Sequence, residues 1–225
     1  MTGLIPILLT LATAQTPPMQ LAEYKPHMEA TYSVDTRSFD NLNLLATGKL
    51  PFGFSYYGFV DISSDGVQPG TDEYFDPENY FSRWQLNKNL WKGLGVEVEH
   101  DASNLPPGVA EVARFGLTYR HDFRVPWSES KAFAIGKIFP VETDNSGGKT
   151  AFVWNVPITR HGSIWTDGFF DVHLNKDATD KIVFEPQLNF RINRYFDLVI
   201  EGRYNGFLDG NDDTGVGVGL RIKLD

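Results

Sequence analysis

The chain has 225 residues, a formal net charge of −9 and a pI near 5.0, with no cysteine. Disulfide frameworks and thiolate metal sites are therefore excluded, and the acidic balance argues against a nucleic-acid polymer as partner. No stretch approaches the roughly 20 consecutive apolar residues of a membrane-spanning helix.

The first element is not part of the fold. "MTGLIPILLTLATAQ" carries a short apolar core from Leu4 to Leu11, then Ala12-Thr13-Ala14, a small-x-small cleavage pattern. It reads as a secretory signal peptide over residues 1–14, leaving 15–225 as one barrel domain.

Turn and loop signals cut the remainder into about a dozen segments. Strands are expected near 28–37, 41–50, 53–63, 78–88, 93–101, 111–122, 131–139, 149–160, 167–175, 181–192, 195–206 and 214–224. The fifth alternates cleanly, with Leu94, Val96 and Val98 against Gly95, Glu97 and Glu99. The sixth sets Ala113, Phe115, Leu117 and Tyr119 against Arg114, Thr118 and Arg120. The seventh, "KAFAIGKIF", alternates poorly, so ten strands are also compatible with the pattern. The tenth sets Phe184, Leu188, Phe190 and Ile192 against Glu185, Gln187, Asn189 and Arg191. Pro186 interrupts it and predicts a bulge or a nearby end of pairing, because proline lacks the ladder donor. In the last strand Val216, Val218, Leu220, Ile222 and Leu224 alternate with glycines, Arg221 and Lys223.

Connections after strands two, four and ten are tight, whereas those after three, five, seven, nine and eleven are polar, turn-rich and mostly acidic. "DFRVPWSES" and "RHGSIW" are longer than a short-turn end wants, so the asymmetry is a tendency. Period-two alternation with short turns at one end and long loops at the other fits an outer-membrane barrel. A soluble sandwich or lipocalin-like barrel, with the apolar face inward, satisfies the same alternation. Three features favour lipid on the apolar face. They are the export signal, a strand number too large for apolar side chains to fill the interior, and aromatics at strand ends (Phe52, Tyr80, Tyr195, Phe207). The expected fold is all-β: a closed antiparallel transmembrane β-barrel of about twelve strands in the Gram-negative outer membrane.

Gly58-Phe59-Val60-Asp61-Ile62 in the third strand recurs as Gly168-Phe169-Phe170-Asp171-Val172 in the ninth. Phe184-Glu185-Pro186-Gln187-Leu188 follows, and then Glu201-Gly202-Arg203-Tyr204. In this order the stretches resemble the nucleoside-specific channel-forming (Tsx-like) outer-membrane proteins. The resemblance implies a narrow, monomeric twelve-stranded barrel for passive uptake of nucleosides or similar small polar solutes, with no cofactor and no enzymatic activity.

The charged residues of both signs fall on one face of the strands, the pattern of a constricted pore that hydrogen-bonds solute rather than of a single-sign ion filter. The candidate solute-binding residues are Asp61, Asp171, Glu185, Gln187, Arg191, Glu201 and Arg203, with Tyr57, Phe59 and Phe169 placed to stack a base. Strands three and nine lie six apart, so Asp61 and Asp171 are expected to face each other across the lumen. The same charges would also serve a purely structural barrel by pairing across the lumen and plugging it.

Other motifs carry less. "SGGKT" at 146–150 lacks the upstream glycine and helix of a phosphate loop and reads as a loop. "GVGVG" at 215–219 has no helix after it, and its glycines read as space savers on the lumen face. His161-Gly162-Ser163 offers an imidazole and a hydroxyl two residues apart, the pairing used by outer-membrane lipid acyl hydrolases, and keeps that alternative open. The remaining histidines, 27, 100, 121 and 173, show no metal-ligand spacing.

Overall fold

The computed structural model describes residues 26–37, 39–64, 79–104, 110–144, 147–176, 178–207 and 213–224. The signal-peptide segment lies outside these residues, as does most of the connection after the third strand.

Twelve strands close into a single antiparallel barrel. They are β1 (His27–Asp35), β2 (Asp40–Leu50), β3 (Phe54–Ser64), β4 (Asn79–Trp91), β5 (Leu94–Ser103) and β6 (Ala110–Arg124), followed by β7 (Lys131–Glu142), β8 (Gly147–Pro157), β9 (Ile164–Asn175), β10 (Lys181–Arg191), β11 (Phe196–Asn205) and β12 (Thr214–Lys223). Every strand pairs with its chain neighbours, and β1 pairs with β12 to shut the sheet, so no edge is left unpaired. The ten-strand alternative is therefore set aside. The only helix among the described residues is a three-residue turn, Pro51–Gly53, between β2 and β3.

The strand starting at Gly147 overturns the reading of 146–150 as a loop from Gly147 onward, because Lys149 and Thr150 pair with both β7 and β9. The tight turns after β2, β4 and β10 lie at the end where β1 starts and β12 finishes. Lys92 and Gly93 both take positive φ (44° and 90°), the signature of a two-residue hairpin turn whose twist matches the strands. The other end carries the two longest connections, 65–78 after β3 and 206–213 after β11, whereas 125–130 and 158–163 at the first end exceed its remaining short links after β1, β7 and β9.

Side-chain burial is inverted relative to a water-soluble protein. Among the described residues seven hydrophobic side chains are buried, against seventeen polar or charged ones. Thirty-six large hydrophobics are exposed, including Phe115, Leu117, Ile138, Phe152, Phe184, Val218 and Leu220. An exposed apolar surface of that extent marks a face made for a partner or for lipid. Phe52, Tyr80, Tyr195 and Phe207 are exposed at strand ends, where an interfacial girdle belongs.

The two sequence irregularities have distinct causes. In β7 the register shifts opposite Phe115–Leu117, so Lys137 and Phe139 point inward on one side of the shift and Glu142 on the other. Phe133 lines the interior and Phe139 is fully buried, so this strand carries grease on the face that is polar elsewhere. Pro186 needs no bulge. The β10–β11 register is the same on either side of it, and pairing merely skips the two residues opposite Gly202 and Arg203. On its other side Pro186 faces Gly168 of β9, where an added Cβ would fall 2.9 Å from the proline Cα.

The glycines of the repeated Gly-Phe-x-Asp element have a local explanation. A Cβ on Gly58 would lie 2.1 Å from the Trp84 ring, and one on Gly168 would lie 2.8 Å from the Trp154 ring. In both cases a tryptophan on the neighbouring strand occupies the space that a side chain would need.

A half-plugged lumen and an open path

One sector of the interior is filled by ion pairs. From β4, Arg83 Nε donates to Asp101 of β5 at 2.9 Å, while Nη1 reaches across to Asp171 of β9 at 2.8 Å. From β6, Arg114 Nη1 donates to Asp101 at 2.6 Å and to Glu99 at 3.0 Å, and its Nε donates to Glu142 of β7 at 2.5 Å. From β8, Lys149 Nζ donates to Glu99 and lies 3.4 Å from Asp171. The Glu99 and Lys149 side chains are wholly buried. Nearer the short turns, Lys137 Nζ donates to Glu97 at 2.7 Å and to Gln85 at 2.8 Å. Alternation, reset once within β7, places these charged residues on the inner face, and neighbouring strands set opposite signs side by side.

The rest of the interior is open. A chamber of about 520 Å³ is lined by Asn41, Asn43, Tyr57, Phe59, Asp61, Phe169, Glu185, Gln187, Glu201 and Arg203, among others. It reaches the loop end at Arg37, Phe39, Ser63 and Asn205. A second space of about 320 Å³ at the opposite end is lined by Lys131, Trp165, Arg191 and Lys223. Glu29, Asn155, Asp167 and Arg221 line both, so these four mark a neck where one space passes into the other. Together the two spaces reach both ends of the barrel beside the ion-paired sector.

Within the chamber, Asp61 Oδ1 accepts hydrogen bonds from Asn41 (3.1 Å) and Asn43 (2.8 Å). Gln187 donates to Glu201 at 2.9 Å, and Arg221 donates to Gln187 at 2.7 Å. Arg203 Nε donates to Glu201 at 2.8 Å. Tyr57 and Phe59 meet edge to face at 6.1 Å, and Phe59 lies 5.8 Å from Phe81. Arg83 bridges the two sectors, its guanidinium standing 5.5 Å from Phe81 and 5.7 Å from Phe169.

Eight of the ten sequence-predicted residues share this chamber: Tyr57, Phe59, Asp61, Phe169, Glu185, Gln187, Glu201 and Arg203. Arg191 lies at the far mouth, stacked 5.3 Å from the Trp165 ring. Asp171 does not reach the path. It is 1 % exposed and held by Arg83 and Lys149, so the expected confrontation of Asp61 and Asp171 across open solvent is replaced by an ion pair. The neck residues Asp167 and Asn155 went unnoticed in the sequence. Strand β9 begins at Ile164, three residues earlier than expected, and the parity of Phe169 and Asp171 carried back to Asp167 would have found it.

The His161–Ser163 pair is not assembled. Ser163 Oγ shares a hydrogen bond with Thr159 at 3.0 Å, while His161 Nδ1 lies 3.3 Å from Glu129 on another turn. Among the described residues no group of three or more histidines and carboxylates is arranged to hold a metal.

No family model matches the chain, and no curated protein matches it. Solved structures do. The KdgM porin in complex with disordered oligogalacturonate has a TM-score of 0.52 at 8 % identity, with 88 % of this chain and 99 % of that one covered. The KdgM porin alone has a TM-score of 0.50 at 9 % identity, with the same coverage. Omp33 of Acinetobacter baumannii has a TM-score of 0.42 at 10 % identity, with 91 % of this chain and all of that one covered. At these identities the KdgM structures establish a shared porin-type barrel fold.

Proposed function

We propose that the protein is an outer-membrane channel for passive uptake of small polar solutes, with nucleosides as the preferred class. The observation that carries this reading is the pair of unfilled spaces, one at each end of the barrel, that meet at the Glu29–Asn155–Asp167–Arg221 neck. The apolar exterior supports placement in a bilayer, and the short turns then face the periplasm. Residues 1–14 act as the export signal, and one chain closes the barrel, so the monomer is the working unit.

The chamber combines faces and acceptors suited to a nucleoside. Tyr57, Phe59 and Phe169 offer rings to a base, and base stacking on aromatics contributes about 1–3 kcal/mol. Asp61, Glu185 and Glu201 offer acceptors to ribose hydroxyls, and Gln187 offers an amide. The oligogalacturonate of the KdgM complex is an anionic alternative, but in this chamber it would meet those three carboxylates. A neutral solute meets no such repulsion.

Swelling of vesicles holding the purified barrel tests the reading. Adenosine and thymidine are expected to enter, with entry reduced at least about tenfold by Asn155→Trp at the neck, as filling a constriction closes the route. Absence of solute entry through a barrel with folded gel mobility would overturn it.

A further inference from the structure

The unfilled part of the lumen changes sign from end to end. On the loop side, Arg37 is clamped by Asp35 at 2.8 Å and Arg203 by Glu201 at 2.5 Å. Asp61 and Glu185 face the same chamber, and neither forms a salt bridge with a basic side chain among the described residues, Asp61 being held by amides alone. At the opposite mouth Lys223 is paired with Asp197 at 2.7 Å, but Lys131 and Arg191 have no acid partner among the described residues. Arg191 and Lys223 stand 5.3 Å and 5.6 Å from the Trp165 ring, which fixes their charge at the opening. The neck between holds two acids and one base, with Arg221 3.3 Å from Glu29 and Asp167 held by the neutral donors Asn189 and Trp165.

We infer that the pore is bipolar: Asp61 and Glu185 at one end and Lys131 and Arg191 at the other act in series, so it passes ions unequally in the two directions and favours neutral or zwitterionic solutes over either ion. The inference rests on the channel reading above. Its physical basis is separation. Glu185 and Arg191 are six residues apart on one strand, about 20 Å at roughly 3.3 Å per residue. The Debye length at about 0.1 M salt is ~10 Å, so the two ends gather counterions independently, cations in the chamber and anions at the mouth. A potential positive on the loop side drives both populations toward the neck and raises conductance. The opposite potential empties the neck and lowers it.

Single-channel recording in planar bilayers tests this. The current at low salt is expected to differ by about twofold or more between the two polarities, and to become symmetric near ~1 M salt, where the screening length falls to ~3 Å. Lys131→Gln with Arg191→Gln should abolish the asymmetry and shift the reversal potential in a salt gradient toward cation selectivity. Asp61→Asn with Glu185→Gln should also abolish it but shift the potential toward anions. Vesicles should swell faster in a zwitterion than in an anion of the same size. A symmetric low-salt current, equal swelling rates, or shifts of the same sign in both double variants would overturn the bipolar arrangement. A folded barrel that passes neither ions nor solutes would instead overturn the channel itself.

Discussion

The two sectors of the lumen use the same residue types to opposite ends. In the β4–β9 sector, Asp171 is shut away from solvent between Arg83 and Lys149. In the open sector, Asp61 sits in a repeat of the same local sequence, yet its partners are two asparagine amides and a solvent-accessible chamber. The difference lies in the facing strands. β4, β6 and β8 each bring a cation to the upper lumen, whereas β2 brings amides. A carboxylate becomes a strut where a guanidinium reaches it, and stays open to the chamber where none does.

The comparison can be broken most strongly on the plugged side. Arg83→Ala leaves Asp101 to Arg114 alone and Asp171 to Lys149 alone, and removing one member of such a buried set costs about 3–5 kcal/mol. Urea unfolding of the barrel in vesicles should show that loss, accompanied by a larger single-channel conductance as the sector opens. A variant as stable as the parent would mean that the sector is wet.

The tryptophan-covered glycines give the next effect. Gly168 has φ +149°, and an added Cβ would fall 2.3 Å from the Glu185 carbonyl oxygen. Gly168→Ala should cost about 1–3 kcal/mol in the same measurement, the usual range for enforced backbone strain. Gly217 is the control, because its Cβ would make only ordinary contact at 3.8 Å, and alanine there should be tolerated.

On the open side stability and flux should separate. Asp61→Asn should change stability by no more than about 1 kcal/mol, the scale of one ordinary hydrogen bond, while adenosine entry falls severalfold. Equal losses in both would place Asp61 with the struts. The smallest effect belongs to Pro186→Ala. The regained ladder donor is offset by the freer unfolded chain, leaving a net change under about 1 kcal/mol by urea unfolding.

Much of the fold was legible because alternation is a local property. Ile182, Phe184 and Ile192 fall outside, and Glu185 and Gln187 inside, as the tenth segment's period required. The seventh segment resisted for a physical reason. Its inner face carries Phe133 and Phe139, and the register shift opposite Gly116 changes the parity partway along. The site was legible to the extent that parity selects a wall. Parity placed Asp61 and Asp171 on the inner face alike, but nothing along the chain shows that Arg83 crosses the lumen to claim only the second.

The sequence by itself determined that the strands have two unlike faces and that the charged one lines an interior, since each residue's side of the sheet follows from its position along the strand. Closure determined the rest. Which acids meet cations, where the lumen stays open, and where its neck falls depend on residues brought together from strands up to half a barrel apart. Long charged side chains reach across that gap to partners that only the closed sheet presents.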